Sequence, residues 1–312
     1  MIKKILFGLC LLSNITFAHK PLILVLDWFI NPNHAPLFVA EQEGFFAQQG
    51  ITLKIIPPAD LYAGEKMVAT NKADIALTYQ PTFTYKITKG LPLIRFATLI
   101  DSPLNCLTVL QQGPIHQLKD LKGKRLGYIP DSNTCITLNT ILKHTGLNNN
   151  EVKLLSAAFN LRQALLSGKI DGFTGGMRNF ETVAMELAGK PARFFYPEQH
   201  GLPPYDELIF VTHKNKINNP ALKKFVVALH QGVIHLRKNP QTSWQKFAKN
   251  HPELNNTLNQ KVWFLTLPYF AKNPAKLDRT QYQNLTTFLW QEKLIDHIPN
   301  LKTYATEFNQ NL

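Results

Sequence analysis

The chain has 312 residues, 45% hydrophobic and 18% charged, with 34 Lys and Arg against 21 Asp and Glu for a formal net charge of +13. That composition describes a folded globular protein long enough for two domains with separate cores, and it excludes a disordered chain. The basic residues are scattered, without an arginine-rich arm or an aromatic–basic RNA motif, which argues against a nucleic-acid partner; three cysteines are too few for a disulfide scaffold or a Cys-built zinc site.

Residues 1–18 open with Met1-Ile2-Lys3-Lys4, continue through an apolar run from Ile5 to Leu12, and end at Ala18. A short positive region, an apolar stretch too short to span a bilayer and a small residue at the end predict a secretory signal peptide cleaved after Ala18. Cys10 falls too early for a lipid-anchoring signal. Removing Lys3 and Lys4 takes the charge from +13 to +11. The mature chain is expected in the periplasm, where Cys106 and Cys135 remain; they are read as two small buried side chains, and the sequence leaves open whether they pair.

Pro21 to Leu26 is a continuous apolar run, the pattern of a strand buried on both faces. A loop at Asn31–His34 follows, then a helix from Pro36 to Glu43 stopped by Gly44. Ile51, Leu53 and Ile55 alternate with polar residues in a second strand. Gly64 to Asn71 reads as helix, Asp74 to Tyr79 as a third strand, 82–89 as helix and Leu91 to Ile100 as a fourth strand. The pattern then restarts. Leu104–Gln111, Arg125–Ile129, Val152–Ser156 and Ile170–Thr174 are expected strands, with helices near 132–145 and 160–168, and Leu208–Thr212 is a further strand. Beyond it Leu222, Phe225, Val226, Leu229, Val233 and Leu236 form the apolar stripe of a long helix, and Tyr282, Leu285, Phe288 and Leu289 mark another. The alternation predicts an α/β fold of two lobes with mostly parallel sheets. We place the crossings near 101–105 and 205–209, giving a discontinuous first lobe (19–103 plus 208–312) and a second lobe (104–207). Ligands bind such folds outside the carboxyl ends of the strands.

Asp27-Trp28-Phe29 stands at such an end, and so does Tyr79. Trp28 taken singly reads more readily as core, and its place at the strand's carboxyl end is what points it to the cleft. His34 precedes a helix start and lacks partners at metal-ligand spacing. Gly175-Gly176 follows the strand Ile170–Thr174 and allows close backbone approach, with Glu181 facing the same edge from the next helix. No Walker spacing, dinucleotide Gly-x-Gly-x-x-Gly, Gly-x-Ser-x-Gly or His-Glu-x-x-His occurs. Neither an enzyme motif nor a metal site is legible, and no cofactor is expected.

Leu26-Asp27-Trp28-Phe29-Ile30-Asn31-Pro32-Asn33-His34, Gly44-Phe45-Phe46 through Gly50-Ile51, and Gly175-Gly176 with Asn179 and Glu181 resemble the ThiY-like family, exported solute-binding proteins for thiamine pyrimidine precursors. Pro103-Leu104-Asn105, Lys119–Gly127 and Tyr205–Phe210 extend the resemblance over most of the mature chain. It implies the type II periplasmic binding protein fold, closing by hinge motion on a formylaminopyrimidine or hydroxymethylpyrimidine. Trp28 then stacks on the ring and Glu181 accepts from its amino group or protonated nitrogen, each interaction contributing about 1–3 kcal/mol. Asn33, His34, Tyr79, Asn105, Gly175, Gly176 and Tyr205 are expected to line the cleft. The implied partner is an inner-membrane ABC permease with its ATPase, and the binding protein itself is expected to be monomeric. The same superfamily contains a pyridoxal-phosphate-dependent pyrimidine synthase with a lysine and a histidine where Thr78 and Thr82 stand here. A synthase-like enzyme, or a binder of another small aromatic or sulfonate solute, is the alternative reading.

Overall fold

The computed structural model describes residues 20–60, 63–156 and 160–308. The expected signal peptide and its cleavage site lie outside the described residues.

The first α/β unit comprises β1 (Leu22–Val25), a 3-10 turn at Pro32–His34, α1 (Ala35–Gln42), α2 (Phe45–Gln48), β2 (Leu53–Ile56), α3 (Ala63–Ala69), β3 (Ile75–Thr78), α4 (Gln80–Thr88) and β4 (Leu93–Ile100). The second runs β5 (Asn105–Leu110), β6 (Arg125–Tyr128), α5 (Ser132–His144), β7 (Lys153–Ser156), α6 (Leu161–Leu166), β8 (Gly172–Met177), α7 (Arg178–Leu187) and β9 (Ala192–Phe195). The chain then returns through β10 (Leu208–His213) and ends in α8 (Pro220–Lys238), α9 (Pro240–Asn250), α10 (Thr257–Thr266) and α11 (Arg279–Gln291).

Two five-stranded sheets result, ordered β2-β1-β3-β10-β4 and β7-β6-β8-β5-β9. In the first, β1 pairs parallel with β2 and β3, and only β10 runs antiparallel to its neighbours. In the second, β6 pairs parallel with β7 and β8, and β5 is the antiparallel strand. The apolar runs in β1 and β3 are explained by cover on both faces, because helices flank a parallel sheet. Gly44 ends α1 at φ 73°, a left-handed conformation that costs glycine little. The stripe Leu222–Leu236 is buried along α8, which packs on α1 and α2. A Cβ at Gly232 would stand 2.5 Å from the Pro36 carbonyl oxygen, so glycine lets these two helices touch backbone to backbone.

Four elements have no counterpart in the sequence reading: α2, β9, α9 and α10. The glycine pair also differs, since β8 runs through Gly175-Gly176 to Met177 rather than stopping at Thr174. Gly176 pairs with Cys106 across the sheet. The terminal helices do more than return to the first sheet. α10 packs against α7 of the second unit, and Leu285 and Leu289 of α11 share a buried cluster with Ile136 of α5, Leu202 and Tyr205. Cys106 is buried, Cys135 is half-buried, and both are free thiols. No helix among the described residues is long and apolar enough to cross a membrane.

Candidate functional site

The chain leaving β1 and β3 meets that leaving β6 and β8 around a cavity of about 380 Å³, within the range small-molecule sites occupy. Trp28, Phe29, Tyr79, Phe173 and Phe180 supply aromatic surface. Trp28 and Phe29 meet edge to face at 5.8 Å, and Phe29 is 60% exposed, so it forms part of the mouth rather than the core. Trp28 is half-buried on the wall.

Five carboxylates line the same cavity: Asp27, Glu65, Asp131, Glu181 and Glu207. Among the described lining residues Arg162 is the single lysine or arginine. It forks onto Glu181 at 2.8 and 2.9 Å, so the carboxylate expected to meet a ligand unaided is already paired. Glu65 accepts from Thr78 Oγ1 at 2.7 Å and from Lys86 Nζ. The other three are held by uncharged donors. Asp27 Oδ2 accepts from the Tyr79 hydroxyl at 2.7 Å, and Asp27 Oδ1 lies 2.9 Å from His34 Nε2. His34 Nδ1 faces the Asn31 N–H at 3.3 Å; it must therefore accept, which places the ring proton on Nε2 and makes His34 a neutral donor to Asp27. Asp131 takes the N–H and hydroxyl of Thr134 at 2.9 and 3.0 Å. Glu207 Oε2 accepts from the N–H groups of Leu104 and Asn105, and Oε1 accepts from Asn133 Nδ2 at 3.2 Å.

Burial shifts several of these groups. Burial pushes the carboxyls of Asp131 and Glu207 above their ordinary range, against the pull of their N–H donors. The Tyr79 hydroxyl is held well above its usual value by burial first, then by the negative charges of Asp27, Glu207 and Asp131. The three carboxylates thus all act on the Tyr79 hydroxyl.

Of the expected lining residues, Trp28, Asn33, Tyr79, Asn105, Gly175, Gly176 and Glu181 do border the cavity. Asn33 accepts from Asn179 Nδ2 at 2.7 Å, and Asn179 also reaches Thr266 Oγ1 at 2.7 Å, a buried polar link between the two units. Asn105 Oδ1 accepts from the Gly175 N–H at 3.0 Å. Gly175 sits at φ 101°, and a Cβ on Gly176 would lie 2.6 Å from the Phe173 ring and 2.8 Å from Glu181; the pair is glycine because neighbouring side chains fill that space.

His34 and Tyr205, expected to line the cleft, do not border the cavity. Both are fully buried and stand behind the wall: His34 donates to Asp27, and the Tyr205 hydroxyl lies 3.3 Å from Glu207. A strand-end rule places a residue near an edge without fixing which way its side chain turns. Asp27, Glu65, Asp131, Asn133, Arg162 and Glu207 were missed as site residues. Asp131 carried a usable signal, as a helix N-cap directly after the strand Arg125–Ile129; Glu65 and Glu207 carried none.

Two mixed sheets ordered 2-1-3-n-4, crossed twice by the chain and bordering one cavity, define the periplasmic binding protein fold. The fold matches the alkanesulfonate-binding protein SsuA of Xanthomonas axonopodis pv. citri (TM-score 0.72, 16% identity, 91% of this chain and 97% of that one). It also matches a Candida albicans gene product with the generic periplasmic binding protein fold (TM-score 0.73, 15% identity, 94% and 98%). Residues 31–243 match the NMT1/THI5-like family, and the chain belongs to that family. A Haemophilus influenzae relative, provisionally named a thiamine biosynthesis protein, is 40% identical over 94% of this chain and 93% of its own. A 4-amino-5-hydroxymethyl-2-methylpyrimidine phosphate synthase of Legionella pneumophila is 28% identical over 91% of each. The formylaminopyrimidine-binding protein of Halalkalibacterium halodurans is 29% identical over 77% of this chain and 73% of its own.

Proposed function

We propose that this protein is the exported solute-binding subunit of an ABC importer and captures a thiamine pyrimidine precursor of the formylaminopyrimidine or hydroxymethylpyrimidine type. The observation that carries the reading is the cavity's composition. A protein of net charge +13 encloses aromatic walls and five carboxylates, three of them held by neutral donors. A flat ring stacked on Trp28 contributes about 1–3 kcal/mol, and an amino or protonated ring nitrogen adds a charge-assisted hydrogen bond to carboxylates whose present donors are neutral. The relative named as a formylaminopyrimidine-binding protein supports the same ligand class.

Relatives named as synthases make the enzyme the competing reading. The cavity does not fit a lysine-linked pyridoxal phosphate. Thr78 and Thr82 line it where the resemblance places the synthase's lysine and histidine, and no lysine borders it among the described residues. Lys86, nearby, is engaged by Glu65. An inner-membrane permease with its ATPase is the partner this reading requires, and delivery by a monomer is the form we assign.

Calorimetric titration of the purified mature protein with both pyrimidines tests the reading, alongside an absorption spectrum after mixing with pyridoxal phosphate. Saturable one-to-one binding of a pyrimidine and an unchanged cofactor spectrum are expected. A Schiff-base band that matures into pyrimidine formation would establish the synthase instead.

A further inference from the structure

Helix α5 points its N-terminus at the cavity: Ile129, Asp131, Asn133 and Thr134 all border it. The open N–H groups of a 13-residue helix are ordinarily a ready-made anion site. Here Asp131 engages part of them. Asp131, the N-cap, accepts from the Thr134 N–H and hydroxyl through its carboxylate, and its carbonyl takes the Cys135 N–H. The donors that would hold a phosphate or sulfonate face a protein carboxylate instead.

A second observation points to what the ligand presents there. Asn133 is 4% exposed and its Oδ1 has no hydrogen-bond partner. Its amide nitrogen is committed to Glu207 Oε1 at 3.2 Å, so the orphan atom is an acceptor. Thr82 Oγ1, 3% exposed on the same cavity, is also unpartnered. A buried acceptor without a donor is costly in the absence of a ligand, and an arriving N–H relieves it.

We propose that Asp131 sets the charge selectivity of the cavity: by filling the α5 N-terminus it directs the donor-bearing end of a neutral or cationic heteroaromatic to Asp131 and Asn133, and it rejects the phosphate ester of the same ring and other oxyanions. This rests on the cavity being the ligand site, as proposed above, but not on which pyrimidine occupies it.

The experiment compares wild type with Asp131→Ser and Asp131→Asn, both good N-caps that keep the helix start while removing the charge. Each is titrated with 4-amino-5-hydroxymethyl-2-methylpyrimidine, with its phosphate ester, and with methanesulfonate as a bare oxyanion. Melting curves accompany every protein, so the result is read from whichever variant keeps the wild-type transition. Wild type is expected to prefer the alcohol over the ester by at least about a hundredfold, and the variant to narrow that ratio by tenfold or more. Equal wild-type affinity for ester and alcohol, or a ratio unmoved by the substitution, overturns the proposal. If wild type binds neither pyrimidine form, the function proposed above fails and the methanesulfonate arm decides this one. Binding to the variant but not to wild type then sustains it, and binding to neither overturns it.

Discussion

Replacing Asp27 with Asn isolates the contribution of one cavity charge. In the native site its carboxylate accepts from Tyr79 and His34 at 2.7 and 2.9 Å. His34 cannot turn its proton to Nδ1, because that atom faces the Asn31 N–H. In Asp27→Asn the new amide must therefore give its oxygen to His34 and its NH₂ to Tyr79, whose hydroxyl can accept and turn its own proton into the cavity. Both bonds survive with neutral partners, so stability falls by about 1 kcal/mol, the difference between charge-assisted and neutral bonds. That corresponds to a melting temperature about 2–4 °C lower. Binding changes more. A donor-bearing or protonated ring loses a buried negative partner, and its affinity drops by about 1.5–3 kcal/mol, or ten- to a hundredfold. Calorimetric titration with an aminopyrimidine, beside ligand-free melting curves, measures both. Affinity within twofold of wild type would refute the view that Asp27 presents charge to the ligand. Collapse of the fold would refute the proposed rearrangement.

Trp28→Ala removes the proposed stacking wall from a half-buried residue, so affinity should fall about five- to a hundredfold with little change in ligand-free melting; a large loss of ligand-free stability would return Trp28 to the core. Glu181→Gln leaves the Arg162 guanidinium uncompensated at the cavity wall and should weaken aminopyrimidine binding at least tenfold, with partial recovery in the Arg162→Gln, Glu181→Gln double variant. Glu207 carries a raised pKa from burial, so above the unfolded carboxylate value of about 4.3 the native state binds more protons and stability from this group declines as pH rises. Glu207→Gln should accordingly gain on wild type as pH increases from that point, and parallel melting-temperature curves would contradict the assignment. Gly232→Ala forces a methyl to 2.5 Å from the Pro36 carbonyl, and thermal unfolding should register a cost of about 1–3 kcal/mol.

The pattern of the chain revealed elements whose burial is lopsided or total. β1 and β3 are continuous apolar runs, and α8 buries one face, so period and length identify them. β9 reads Ala192-Arg193-Phe194-Phe195 and is half-buried at every position, an edge strand with neither alternation nor a sustained apolar run. In α9 the buried residues are Ser243, Trp244, Phe247 and Ala248, a seam too narrow to stand out from its polar surroundings. The site was legible where chemistry sits beside a strand end, as at Trp28, Tyr79 and the Gly175-Gly176 pair. It was hidden where residues converge from distant segments. Glu65 on α3 and Glu207 before β10 become neighbours of one cavity only through sheet order, which no local spacing encodes.

Glu207 also occupies a singular place in the chain path. It precedes the strand that carries the chain back to the first sheet, yet its carboxylate grips the N–H groups of Leu104 and Asn105, where the outward crossing is made. Each passage between the units is thereby fastened to the other by one side chain. Because that same carboxylate borders the cavity, the two chain crossings and the cavity wall share one acidic group.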